Sequence, residues 1–143
     1  MMILDSDHFS EFLKGTSPAG ELLRQRLQAS SEPVAVTIVT AEELMRGWLS
    51  LIHRQKQVRS QIPAYTELQR LISVLGRWNV LPWDDAAVAE FENLRTAKIR
   101  VGTMDLKIAS IALAHNATVL SRNRIDFERV PNLPVEDWLT AVS

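Results

Sequence analysis

A chain of 143 residues that is 46% apolar and 23% charged has the make-up of an ordinary globular protein, and its lack of cysteine excludes disulfide staples and thiolate zinc sites. Even composition over that length predicts a single domain, 1–143, able to bury a substantial core. A net charge of −1 excludes a global attraction for nucleic acid, so any polyanion must be held by local basic clusters.

The apolar run Met1 to Leu4 stops abruptly at Asp5-Ser6-Asp7, the pattern of a buried parallel strand whose carboxyl end opens onto polar chemistry. Asp7 is a plausible N-cap for a short helix His8 to Lys14, which Gly15 ends; either Asp5 or Asp7 can cap it, not both. Thr16 or Ser17 starts the next helix with Pro18 in its first turn and Leu22, Leu23 and Leu27 on its inner stripe. Val34 to Val39 is β-branched and reads as a second strand. Thr40 caps a long helix through Leu44, Trp48, Leu51 and Ile52; Glu43 stands at the capping-box spacing and is either a box partner or a site residue. Past a polar stretch and Pro63, a helix from Ala64 to Gly76 carries Leu68, Leu71, Ile72 and Leu75 on one stripe, antiparallel to the helix before it. Trp78 to Leu81 is the third strand, and Asp84 or Asp85 caps a helix to about Lys98.

After Gly102, Thr103 caps a helix from Met104 to about His115 that is apolar almost all round and therefore buried. A strand Thr118 to Leu120, a polar turn ending in Asp126, and an edge strand Leu133 to Val135 complete the chain. Strands alternating with helices predict an α/β sandwich with a mostly parallel central sheet. No apolar run is long enough to span a bilayer and the N-terminus has no secretory h-region, which points to the cytoplasm. His8, His53 and His115 share no metal-ligand spacing.

In such a sheet Asp5, Glu43, Asp105, Asn123 and Asp126 all converge on the carboxyl edge, where α/β proteins bind ligands. Each also has an ordinary explanation, Asp105 as a helix-start residue and Asn123 and Asp126 as turn formers. Several carboxylates brought together repel unless a cation neutralises them, and Mg²⁺ or Mn²⁺, which prefer oxygen ligands, suit the set. Ser6, Ser121 and Asn123 are placed to hydrogen-bond those carboxylates or a water, and Lys98, Arg100, Arg122 and Arg124 to hold the phosphates of a polyanion.

The blocks Ile3-Leu4-Asp5-Ser6-Asp7-His8, Val39-Thr40-Ala41-Glu42-Glu43-Leu44 with Gly47, Gly102 with Asp105-Leu106-Lys107-Ile108-Ala109, Val119-Leu120-Ser121-Arg122-Asn123 with Asp126-Phe127, and Val130-Pro131-Asn132-Leu133 resemble the motifs of PIN-domain ribonucleases, nearest to the VapC-like toxins of toxin–antitoxin pairs. The resemblance covers essentially the whole chain. It implies a three-layer α/β/α fold, an Mg²⁺- or Mn²⁺-dependent endoribonuclease, a homodimer, and a small antitoxin docked on the helical surface. By position it makes Asp5 and Asp105 the principal metal ligands and Glu43 the third acidic residue, with the fourth place divided between Asn123 and Asp126. Trp48, Leu51 and the Leu68 to Leu75 stripe are the expected antitoxin or dimer surface. A weaker resemblance of Asp5-Ser6-Asp7 to haloacid-dehalogenase-type phosphatases makes Asp5 a covalent nucleophile and Asp7 its acid/base, but the later Lys and Gly-Asp motif of that family are not evident. A non-catalytic PIN-like module binding RNA or protein through the same surface is the other alternative.

Overall fold

Strands β1 (Met2–Leu4), β2 (Val34–Thr37), β3 (Val80–Leu81), β4 (Thr118–Leu120) and β5 (Val135–Glu136) form one sheet in the order β3-β2-β1-β4-β5, every pairing parallel, in a computed structural model that describes residues 1–140. The helices are α1 (Ser6–Lys14), α2 (Pro18–Ala29), α3 (Ile38–Arg54), α4 (Ile62–Leu75), α5 (Asp85–Thr96), α6 (Thr103–Ala114) and α7 (Arg124–Phe127). A strand turns alternate residues to opposite faces, and here both faces are covered. Ile3, Ala35 and Val119 pack with α5 and α6 through Ala87, Leu94, Leu106, Ile108 and Ile111, whereas Leu4, Val36 and Leu120 pack with Phe9 of α1, Leu23 of α2 and Leu71 of α4. Burial on both sides is why these strands read as uninterrupted apolar runs. The result is the expected α/β/α sandwich, its sheet wholly parallel.

Several boundaries move, and caps move them. The strand expected over Val34 to Val39 ends at Thr37, because the Thr37 side chain accepts the Thr40 N–H at 3.1 Å and starts α3 at Ile38. A cap of that kind satisfies a backbone donor that would otherwise be orphaned, and here it outweighs the β preference of Ile38 and Val39. Thr40 is therefore inside the helix and forms no capping box with Glu43. Asp5, not Asp7, caps α1, which opens at Ser6, and Gly102, not Thr103, precedes α6. Pro63 sits in the first turn of α4, where the missing N–H is harmless, so the helix begins before it. Trp78 lies outside β3 and stacks edge-on against Phe9 and Phe12 at 4.9 and 5.0 Å. A short helix, α7, replaces the expected turn, and the last strand falls at Val135–Glu136, leaving Leu133 in the core.

Two glycines fix the α1–α2 corner. Gly15 closes α1 at φ +76°, a left-handed conformation that favours glycine. Gly20 lets α2 approach α1 so closely that a Cβ there would lie 2.6 Å from the Glu11 carbonyl oxygen. Among the described residues no helix is long and apolar enough to cross a membrane.

Candidate active site

The strand order reverses between β1 and β4, so the crevice outside their carboxyl ends is the point where open α/β sheets receive ligands. Asp5 follows β1 directly. Its N–H donates to the Leu120 carbonyl at 3.1 Å, which ties it to the neighbouring strand, and its Oδ1 accepts the His8 N–H at 2.9 Å as the cap of α1. It is only 5% exposed. The cap uses one carboxylate oxygen and leaves Oδ2 outside the helix's own hydrogen bonding.

Glu43 comes to the same edge from the second turn of α3. With Thr37 as the cap, its carboxylate turns to α1, where Ser6 Oγ donates to Oε1 at 2.7 Å while also lying 3.4 Å from Thr40 Oγ1. Asp105 stands in the first turn of α6, whose next residues, Leu106 and Ile108 to Ala112, are buried. Its Oδ2 accepts from Asn123 Nδ2 at 3.1 Å, and the same amide nitrogen donates to Asp126 Oδ2 at 3.0 Å. Asn123 is held in turn by its own N–H, which donates to the buried Ser121 Oγ at 2.8 Å. One side-chain amide therefore joins two carboxylates, using both of its N–H bonds.

The electrostatics report the convergence. Burial pushes the Asp105 carboxyl up to about 6, the negative charges of Asp5, Glu43 and Asp126 push the same way, and only the Asn123 hydrogen bond opposes them. An ionised Asp105 is thus disfavoured by Asp5, Glu43 and Asp126 alike. Among the described residues no three His, Cys, Asp or Glu side chains are drawn close enough to enclose a metal ion directly. A donor set of hard oxygens, with one or two carboxylates available and room for water, fits Mg²⁺ or Mn²⁺, which dehydrate reluctantly and keep several waters.

The basic candidates are less uniform. Lys98, Arg100, Arg122 and Arg124 are all exposed, but Arg124 is paired with Glu128 at 2.8 Å, so part of its charge is already answered. Arg122 contributes to holding the Glu11 carboxyl below its ordinary range, after the larger effects of Ser17 and Lys14. Sequence reasoning missed Arg129, whose Nη1 lies 3.5 Å from Asp126 Oδ1 and donates to the Arg100 carbonyl at 2.9 Å. Its spacing three residues beyond Asp126 is the signal that a helical reading of that turn would have used. Asp7 is exposed on α1, whereas Asp5 is buried.

A model of the PIN domain family matches residues 2–133, and the chain belongs to that family. Within it, the chain is 28% identical over 116 residues to Ribonuclease VapC2 of Rickettsia felis, covering 78% of this chain and 79% of that protein. It is 25% identical over 122 residues to the tRNA(fMet)-specific endonuclease VapC of Salmonella typhimurium, covering 82% and 85%. Its fold superposes on a chain in the crystal structure of VapBC2 from Rickettsia felis bound to a promoter DNA fragment, with a TM-score of 0.72, 23% identity and coverage of 96% of this chain and 98% of that one.

Proposed function

We propose that the protein is a divalent-metal-dependent endoribonuclease, hydrolysing RNA phosphodiester bonds, and that it is the toxin of a toxin–antitoxin pair, acting in the cytoplasm as a homodimer until a small protein antitoxin restrains it. The observation that carries the catalytic reading is the Asp105 carboxyl, pushed up to about 6 by burial and by three other carboxylates at one sheet edge. Such an arrangement is costly to a folded protein and becomes favourable once a cation is shared among the acids. Membership of the PIN family and likeness to two relatives named as a ribonuclease and an endonuclease support the same reading.

Asp5 and Asp105 hold the metal in this account, with Glu43 as the third acid and Asp126 as the fourth. A divalent cation held by these carboxylates would supply the chemistry of metal-assisted hydrolysis, polarisation of the phosphodiester and a water of lowered pKa. Ser6 orients Glu43, and Asn123 keeps Asp105 and Asp126 in register. Lys98, Arg100 and Arg122 supply positive charge for RNA phosphates, contacts that fix the strand without reading its sequence. Beside Glu43 a groove of about 600 Å³ is walled by Leu13, Leu44, Trp48, Leu51 and Leu71 and rimmed by Arg54 and Arg70. It is the docking place we assign to the antitoxin, and it takes up Trp48 and Leu51 of the expected surface, with Leu71 from the α4 stripe.

The test is cleavage of single-stranded RNA, an initiator tRNA among the substrates, by purified protein in Mg²⁺, Mn²⁺ or chelator. Cleavage is expected only with metal, and Asp105→Asn is expected to abolish it while leaving circular dichroism intact and melting no lower than that of the wild type. Undiminished cleavage by carefully purified Asp105→Asn rejects the assignment. RNA retention without cleavage in any metal supports a binding module instead.

A further inference from the structure

Behind Asp5, on the side away from solvent, lies an imidazole that the reaction so far leaves unused. His8 is 0% exposed, an unusual place for a polar ring on a helix stripe otherwise made of Phe9 and Phe12. Its Nε2 accepts the Trp138 backbone N–H at 3.1 Å. A ring nitrogen that accepts a hydrogen bond carries no proton, so the proton of the neutral ring is assigned to Nδ1. Nδ1 has no hydrogen-bond partner among the described residues, yet Asp5 Oδ1 lies 3.4 Å from it. A buried donor left without an acceptor is expensive, and Asp5 Oδ1 at 3.4 Å is the carboxylate oxygen beside it.

The other end of the ring faces Asp137 as well as Trp138, with Asp137 Oδ1 3.8 Å from Nε2, beyond hydrogen-bond reach. Asp137 folds the segment after β5 into a tight turn, its carboxylate accepting the Leu139 N–H at 2.9 Å, the Thr140 N–H at 3.2 Å and the Thr140 hydroxyl at 2.6 Å. That turn presents the Trp138 N–H to His8. The ring therefore lies between the last described turn of the chain, whose Trp138 stands 130 residues beyond His8 in sequence, and the first acid of the site.

We propose that His8, in its Nδ1–H tautomer, is a positioning residue for Asp5: it donates to Oδ1 and so sets the direction in which the other oxygen faces the metal. Carboxylate ligands are commonly oriented by hydrogen bonds from behind, and removing such a partner typically costs ten- to a hundredfold in metal affinity. The inference rests on Asp5 being a metal ligand, as proposed above.

Two substitutions separate the two ends of the ring. Asn carries its amide nitrogen where Nδ1 stands, so His8→Asn keeps a donor to Asp5 and loses the acceptor for Trp138. Gln carries its amide oxygen where Nε2 stands, so His8→Gln keeps the acceptor and loses the donor. Calorimetric titration of each purified full-length variant with Mn²⁺ alone is expected to show about tenfold or greater weakening for His8→Gln and retention of most of the affinity by His8→Asn. Melting temperatures are expected in the opposite order, His8→Asn falling further because it leaves the Trp138 amide unpaired and a larger void. A purely structural histidine would make affinity follow stability. Nitrogen-15 spectra of the wild-type ring are expected to show Nδ1 protonated, a readout that survives if a variant fails to fold. Equal affinities for the two variants, or a ring protonated at Nε2, overturn the proposal. Asp5→Asn separates the layers: if it leaves Mn²⁺ affinity unchanged, the metal-site reading itself fails, whereas loss in Asp5→Asn with no difference between the His8 variants sinks only the role of His8.

Discussion

Asp105 bears the largest electrostatic burden in the site, and its titration gives a signed prediction. Its ordinary value is 3.8, and burial together with neighbouring acids raises it to about 6 in the folded protein. Below 3.8 the carboxyl is neutral folded and unfolded, and no penalty exists. Between 3.8 and about 6 the folded state retains a proton that the unfolded state has released, so metal-free stability falls as pH rises, and beyond about 6 the penalty is complete. Melting of the metal-free protein should therefore decline across that window, and Asp105→Asn should flatten the decline; identical pH profiles for the two proteins contradict it. Asn123→Asp adds a negative charge where one amide now serves both Asp105 and Asp126. It should lower metal-free stability and restore it on Mn²⁺ addition, read by melting with and without metal. The convergence of Asp5, Glu43 and Asp105 was legible in the sequence from their places at the ends of buried elements, although each also had an ordinary reading as a cap, a box partner or a helix-start residue. Arg129 was not, because its partner Asp126 was read in a turn and the pairing needs the one-turn helix α7.

At the scale of elements, whether a helix or strand exists followed from periodicity, and where it begins followed from side-chain caps. The α6–β4 unit was readable almost to the residue because a helix apolar on all sides has one place to go. The β2–α3 junction was misplaced because two threonines three residues apart both satisfy a capping pattern, and only the geometry shows that Thr37 is the one used. That choice releases Glu43 from a backbone role and leaves its carboxylate to Ser6. Close approach between elements was invisible in sequence. Gly20→Ala forces a Cβ to within 2.6 Å of the Glu11 carbonyl and 2.9 Å of Ser17 Oγ. Separation of α1 from α2 should cost about 1–3 kcal/mol and lower the melting temperature by several degrees, with cleavage per folded molecule unchanged. A melting temperature equal to wild type refutes the packing account of that corner.

For the whole molecule, an all-parallel sheet covered on both faces delivers every strand's carboxyl end to one edge, and the reversal of strand order at β1 and β4 opens the crevice there. The groove beside Glu43 extends that edge onto the helical layer of α3 and α4. Trp48→Ala removes its largest apolar wall, so antitoxin affinity measured by calorimetry should fall by about tenfold or more while RNA cleavage stays near wild type; unchanged affinity places the antitoxin elsewhere. The three-layer architecture was readable from the alternation of strands and helices, but the groove was not, because it is shaped by how α4 returns against α3. The most direct test of the central claim is anomalous scattering from crystals soaked in Mn²⁺. A peak within coordination distance of the Asp5 and Asp105 carboxylates is the result this account predicts, and saturated metal bound only at sites remote from both would contradict it.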